Sequence, residues 1–286
     1  MFKAIISLIR VRQWYKNLLI FLPLIFTGLL FDRPSFINTL IGFFALSFLS
    51  SVNYVINDIM DVKKDRTHPE KRMRPIASGK IPVPLATLIA LILLIASILI
   101  ALSFSPYFLV SLGALFFLTL IYSFGLKNEP FVDILLISFN FVLRAISGTF
   151  VINTAFISPW LILCPFFLAL FLAVGKRESD LLFLGKKAQK HKPVLKFYTP
   201  QITNALLIIT TTATIMSYAA YAFQSNTGKL VFTLPFAIYV ILRYMYHIYE
   251  GSEISRNTEL IVKDWRLLTG AILWVVSTLA ILYLGI

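Results

Sequence analysis

Nine apolar stretches, each long enough or nearly long enough to cross a bilayer, limit what this chain can become. They lie at about residues 17–31, 36–56, 84–104, 106–124, 131–151, 159–174, 201–222, 230–247 and 267–286. A hydrocarbon core of ~30 Å takes about 20 helical residues to cross. Inside it every backbone N–H and C=O needs a partner within the chain, which leaves helices or closed barrels. Barrel strands alternate apolar and polar residues over ~10 positions; these stretches do not alternate. The expectation is an all-α integral membrane protein, a nine-transmembrane-helix bundle forming a single domain over residues 1–286. Composition agrees, because 14% of residues are charged against about a quarter in soluble proteins.

The opening "MFKAIISLIRVRQWYKN" spreads its bases and is followed by no small-residue cleavage site, so it reads as an amphipathic entry to the first helix, retained in the mature protein. The single Cys164 excludes a disulfide framework. Connections alternate between short ones such as "FDRPS" and "SFSP" and long polar ones at residues 57–83, 175–200 and 248–266. Of the 26 Lys and Arg, 23 fall on the side of the long connections. The positive-inside rule makes that side cytoplasmic, with the N-terminus in, the C-terminus out and a cytoplasmic loop cap on the inner face of the cell membrane. Twelve of the 13 acids lie on the same side, which that rule does not require. Dense acid beside dense base suggests phosphate handled through metal ions, and the net charge of +13 suits anionic headgroups or substrates rather than nucleic acid in a chain of this class.

The densest such place is "NDIMDVKKDRTHPEKRMRPIASG", residues 57–79. On a helix continuing out of the second stretch, at 100° per residue, Asn53, Asn57, Asp58, Asp61 and Asp65 share an arc of about 140°. Hard oxygen donors in that pattern suit Mg²⁺, which takes one or two carboxylates plus substrate phosphates and waters. The plainer alternative is a solvated helix end in which these acids pair with Lys64, Arg66 and neighbours. In the fifth stretch Asp133, Asn140 and Arg144 are spaced by seven and four and stack within about 40° of one face. Asp133 reads as a helix cap beside Pro130 or as part of a polar wall. Arg144 falls near mid-membrane, where a cation costs at least ~2.5–3.5 kcal/mol and normally faces an interior partner; it reads as an interhelical pair or as part of the same wall. His68, His191 and His247 have no zinc spacing, and Lys186, Lys187, Lys190 and Lys192 read as a solvated run facing lipid headgroups.

The acidic stretch with its basic "RP.ASG" sequel resembles the first signature of the UbiA-type membrane prenyltransferase superfamily. Adding "RQWYKN" (12–17) and "YSFGLKNEPFVDILLISFNFVLRAISG" (122–148), the chain is similar over nearly its whole length to the branch of decaprenyl-phosphate phosphoribosyltransferases. The resemblance implies nine transmembrane helices and a Mg²⁺-dependent transfer of 5-phosphoribose from phosphoribosyl diphosphate to a polyprenyl phosphate in the bilayer, with self-association as a further option. It implies Asp58, Asp61 and Asp65 as metal ligands and, with Asn57, as the catalytic set. Implied substrate contacts are Lys16, Asn53, Lys64, Lys71, Arg72, Arg74, Tyr122, Lys127, Asp133, Asn140, Arg144, Lys176, Arg177 and Glu178. Superfamily members that prenylate aromatic acceptors usually carry a second DxxxD after the sixth stretch. This chain has only Glu178 and Asp180 there, which favours the phosphoribosyl branch over prenyl transfer to an aromatic or glycerol-phosphate acceptor. Glu259, Asp264 and Arg266 match a later acidic element less well, because Trp265 intervenes. A transporter is the remote alternative, and it predicts paired charges and broken helices near the midplane.

Overall fold

The computed structural model describes residues 1–67, 71–154, 157–185, 193–225 and 228–285. His68, Lys186, Lys187, Lys190, His191 and Lys192 fall outside them. Among the described residues every regular element is a helix. The α-helices are α1 (Phe2–Leu8), α2 (Phe21–Phe26), α3 (Arg33–Met60), α4 (Val62–Thr67), α5 (Val83–Leu102), α6 (Pro106–Phe124), α7 (Val132–Val151), α8 (Pro159–Leu184), α9 (Pro200–Gln224), α10 (Leu234–Tyr249), α11 (Glu253–Arg256) and α12 (Trp265–Leu284). Among the described residues, eight segments are long and apolar enough to cross a membrane: α3, α5, α6, α7, α8, α9, α12 and Lys229–Tyr249, which contains α10. The protein is accordingly a multi-pass membrane protein.

Helix starts follow local chemistry. Asp32 caps α3 by accepting from Ser35 N at 3.0 Å, Thr199 caps α9 from Ile202 N at 3.3 Å, and Asp264 caps α12 from Arg266 N at 2.9 Å. Each satisfies an N–H that the first turn leaves without a partner. Proline in the first turn of α3, α5, α8 and α9 adds a fixed φ where no donor is required.

Two sequence expectations change. The stretch at 17–31 is not one long helix. Residues Val11–Ile20 wind as a 3-10 helix, α2 follows, and Gly28 turns the chain at φ 78°. With three residues per turn, Trp14 and Asn17 lie on one side, where Trp14 Nε1 donates to Ser51 Oγ at 3.1 Å and Asn17 Nδ2 to Ser47 Oγ at 3.1 Å. Polar anchors on α3 thus set the winding. The long connection expected at 175–200 is also shorter, because α8 continues to Leu184. Its polar end, Arg177 to Asp180, is buried and partnered rather than solvated.

The chain forms two compact units. The first comprises Met1–Ser123 and Leu143–Ile157. In it α3 packs on α5 through Ala45, Ala86, Ala90 and Ala101, small side chains that let helices approach closely, and Ser97 Oγ donates across to Ala45 O at 2.9 Å. The second comprises Phe124–Val142 and Ser158–Ile286, with a core of Phe171, Val174, Leu207, Tyr244, Ile248 and Leu267.

Candidate active site

The acidic stretch belongs to the first unit. Asp61 breaks the helix between α3 and α4, yet its N–H reaches Asn57 O at 2.9 Å and Asp65 N reaches Asp61 O at 2.8 Å, so the helical winding carries across. Asp58 and Asp65, seven residues apart, therefore stay on one side. Both are 2% exposed. Two such carboxylates require neutralisation, since an unpaired buried charge is costly. Arg74 Nη1 supplies it from between them, at 3.1 Å from Asp58 Oδ1 and 2.7 Å from Asp65 Oδ2. Arg10 Nη2 adds a contact of 2.6 Å to the same Asp58 oxygen.

Arg10 is held there by its backbone. It is a non-glycine residue at φ 51°, a left-handed conformation costing about 1–2 kcal/mol. Ser51 Oγ lies 2.7 Å from Ile9 O and fixes the preceding carbonyl to α3, while the guanidinium sits 4.6 Å over the Tyr54 ring.

Around this pair, Asn57 Nδ2 donates to Ser123 Oγ at 3.0 Å. Asp61 is half-buried and has no side-chain partner among the described residues. Asn53 is 3% exposed, and neither its amide oxygen nor its nitrogen has a partner among them. Leaving such a group unsatisfied costs about 1–3 kcal/mol per atom. Lys64, Lys71 and Arg72 are exposed, and Lys16 and Tyr122 are half-buried. Arg144, 8% exposed, donates from Nε to Asn17 Oδ1 at 2.8 Å, an interior partner of the kind its depth requires.

The donor set fits magnesium. No three His, Cys, Asp or Glu side chains converge as a ligand group among the described residues. Asp58 and Asp65 do converge on one cation, the Arg74 guanidinium. Two hard carboxylates, completed by phosphate oxygens and water, are what Mg²⁺ takes.

The remaining sequence candidates belong to the second unit. Asp133, in the first turn of α7, is fully buried, and Arg177 of α8 grips its Oδ2 from Nε at 2.9 Å and from Nη2 at 2.7 Å. Tyr198 donates to Oδ1 at 2.6 Å while accepting from Phe131 N at 3.1 Å. Burial and then the Asp133 carboxylate raise the Tyr198 pKa, so this phenol stays a donor at neutral pH. Glu178 accepts from Thr203 Oγ1. Asn140 bonds its own helix at Leu136 O, Lys127 is half-buried and Lys176 is exposed. A second knot joins Asp264 to Arg243 Nε at 2.8 Å and to His247 Nε2 at 2.6 Å. Burial pushes the Asp264 pKa up, but its bonds from His247, Arg243 and two backbone N–H groups outweigh that and hold it below the usual carboxylate range.

Comparison with known proteins decides the family. Residues 21–263 match the UbiA prenyltransferase family. The chain belongs to this family. A decaprenyl-phosphate phosphoribosyltransferase from Corynebacterium glutamicum is 33% identical over 98% of this chain and 87% of its own length, and one from Mycolicibacterium smegmatis is 30% identical over 98% and 92%. In fold, a UbiA homolog from Archaeoglobus fulgidus solved with GPP and Mg²⁺ superposes with a TM-score of 0.74 at 21% identity, covering 98% of this chain and 99% of that one. A digeranylgeranylglyceryl phosphate synthase structure follows with a TM-score of 0.65 at 18% identity, covering 99% and 98%.

This UbiA-family transferase contains groups that sequence reasoning passed over. Arg10 and Asn17 answer to partners 48 and 127 residues away, and Tyr198 to one 65 away. No local pattern carries such pairings. From the sequence, Asp264 stands only with Glu259 and Arg266 as a weaker match to a later acidic element; its capping of α12 and its bonds to Arg243 and His247 come from the fold.

Proposed function

We propose that this enzyme transfers 5-phosphoribose from phosphoribosyl diphosphate to a polyprenyl phosphate, releasing diphosphate, at the cytoplasmic face of the cell membrane. The observation that carries this reading is the likeness, over 98% of the chain, to relatives named for that reaction. A feature of the second unit supports it. Where prenyl-diphosphate users of the superfamily are expected to carry a second aspartate motif, Arg177 is committed to Asp133 and Glu178 to Thr203.

Asp58 and Asp65, with Asp61 beside them, would hold Mg²⁺, which when bound offsets the negative charge that grows on a leaving diphosphate. Arg74, Lys64, Lys71 and Arg72 give the same stretch a surplus of cations for phosphate oxygens. The ribose C1–O bond to diphosphate breaks, an oxygen of the lipid phosphate forms the new C1–O bond, and the electron pair leaves with diphosphate. That acceptor oxygen is already ionised, so no strong general base is required of the chain. Asn53, buried with its amide unsatisfied, would offer its hydrogen-bonding capacity to a polar group of the donor.

The test uses purified protein in detergent with Mg²⁺, a polyprenyl phosphate and ribose-labelled phosphoribosyl diphosphate, beside prenyl diphosphate with aromatic and glycerol-phosphate acceptors. Lipid-extractable ribose label that EDTA abolishes is the expected result. Label transferred only from prenyl diphosphate overturns the reading in favour of prenyl transfer.

A further inference from the structure

We propose that Arg10 and Arg74 act as a built-in placeholder cation: in the metal-free enzyme they neutralise Asp58 and Asp65, and a divalent cation binding there releases both guanidiniums to the phosphates of the donor. The inference rests on the reading of these carboxylates as the metal site. Asp58 and Asp65 are almost wholly buried, and in a protein without metal two such charges would be left uncompensated away from water. The two arginines cancel them one for one through contacts of 2.6 to 3.1 Å.

Both cations are built to be exchanged rather than locked. Their side chains are 26% and 28% exposed, against 5% for Arg177 in its permanent grip on Asp133. Arg177 reaches Asp133 through two nitrogens, Nε and Nη2. Arg74 makes both of its carboxylate contacts through Nη1, and Arg10 makes its contact through Nη2. Each guanidinium carries five N–H donors in all. Most of that capacity is unspent in these ion pairs, on side chains about a quarter exposed.

Anchoring keeps Arg10 close once released. The bond from Ser51 to Ile9 O ties its backbone to α3, and the Tyr54 face offers a resting place 4.6 Å from the guanidinium. The aromatic contact does not depend on the carboxylate. The placeholder therefore couples the two ligands. Metal competes with arginine for carboxylate, and the displaced arginine then favours diphosphate.

Binding of Mn²⁺ alone, followed by paramagnetic resonance on the full chain in detergent, tests the proposal. Arg10→Gln removes a competing cation, so Mn²⁺ is expected to bind on the order of tenfold more tightly than in the wild type, while inorganic diphosphate in the presence of Mn²⁺ binds more weakly. Arg10→Lys keeps the charge and is expected to stay near wild type. Arg74→Gln carries the same expectation as Arg10→Gln and serves if that variant fails to fold. Unchanged or weaker Mn²⁺ binding in the Gln variants, with Asp58→Asn abolishing it, overturns the placeholder alone. Wild type and Asp58→Asn binding Mn²⁺ equally, or neither binding it, overturns the metal reading and the inference together.

Discussion

At the scale of single residues, burial separates two uses of the same ion pair. Asp133 with Arg177 is enclosed, whereas Asp58 with Arg10 and Arg74 opens to the outside through its arginines. Arg177→Leu is expected to leave Asp133 charged and buried, costing about 3–5 kcal/mol, which a thermal melt in detergent would register. Asp133→Asn with Arg177→Leu together should recover much of that loss. Asp58→Asn should instead melt within a few degrees of wild type while transfer falls at least ~100-fold, an effect of the size seen when a charge-stabilising group is lost. Full activity in that variant would remove Asp58 from the metal site. Asp264 supplies a pH dependence. Its pKa is lowered in the fold, so its stabilisation is complete above the unfolded carboxylate value of about 4 and is lost as pH falls through the folded value. Asp264→Asn should flatten the acid limb of stability below about pH 4 and leave neutral pH without a slope; an unchanged acid limb would show that the Arg243 and His247 bonds do not set it.

At the scale of elements, the 3-10 segment Val11–Ile20 fits only because α7 offers it a bare backbone. A Cβ at Gly148 would stand 2.1 Å from Ile20 O, a backbone atom that cannot swing away. Gly148→Ala is expected to cost upwards of ~1–3 kcal/mol through overpacking and to displace Asn17 from Arg144. Gly113 in α6 has nothing within 4 Å of its would-be Cβ, so Gly113→Ala should be neutral or slightly stabilising. Equal melting temperatures for the two variants would contradict this account of the packing. The sequence marks Gly148 only as the end of "RAISG"; what it meets is decided by a contact more than a hundred residues away.

At the scale of the whole molecule, the expected orientation places the 57–83 connection inside and the Ser103 turn outside. Ser78 and Ser103 are both exposed near opposite ends of α5. In a Cys164→Ser background, an impermeant maleimide applied to intact cells should label Ser103→Cys and spare Ser78→Cys. The reverse pattern would invert the topology and place the acidic stretch outside.

Run length and the absence of alternation determined by themselves that the chain is helical and lies in a membrane, because a bilayer offers the backbone no hydrogen bonds and fixes how long a span must be. Spacing by three, four and seven likewise put Asp58 and Asp65 on one side of one helix end, since helical periodicity is a local property. Tertiary structure decided what faces them. Whether Asp58 meets Arg10, whether Arg177 points to a phosphate or to Asp133, and whether residues 11–26 run as one helix or two segments all depend on partners 30 to 127 residues away. A charged side chain in an apolar surrounding takes the nearest compensating group in space, and distance in space appears only after the helices have packed.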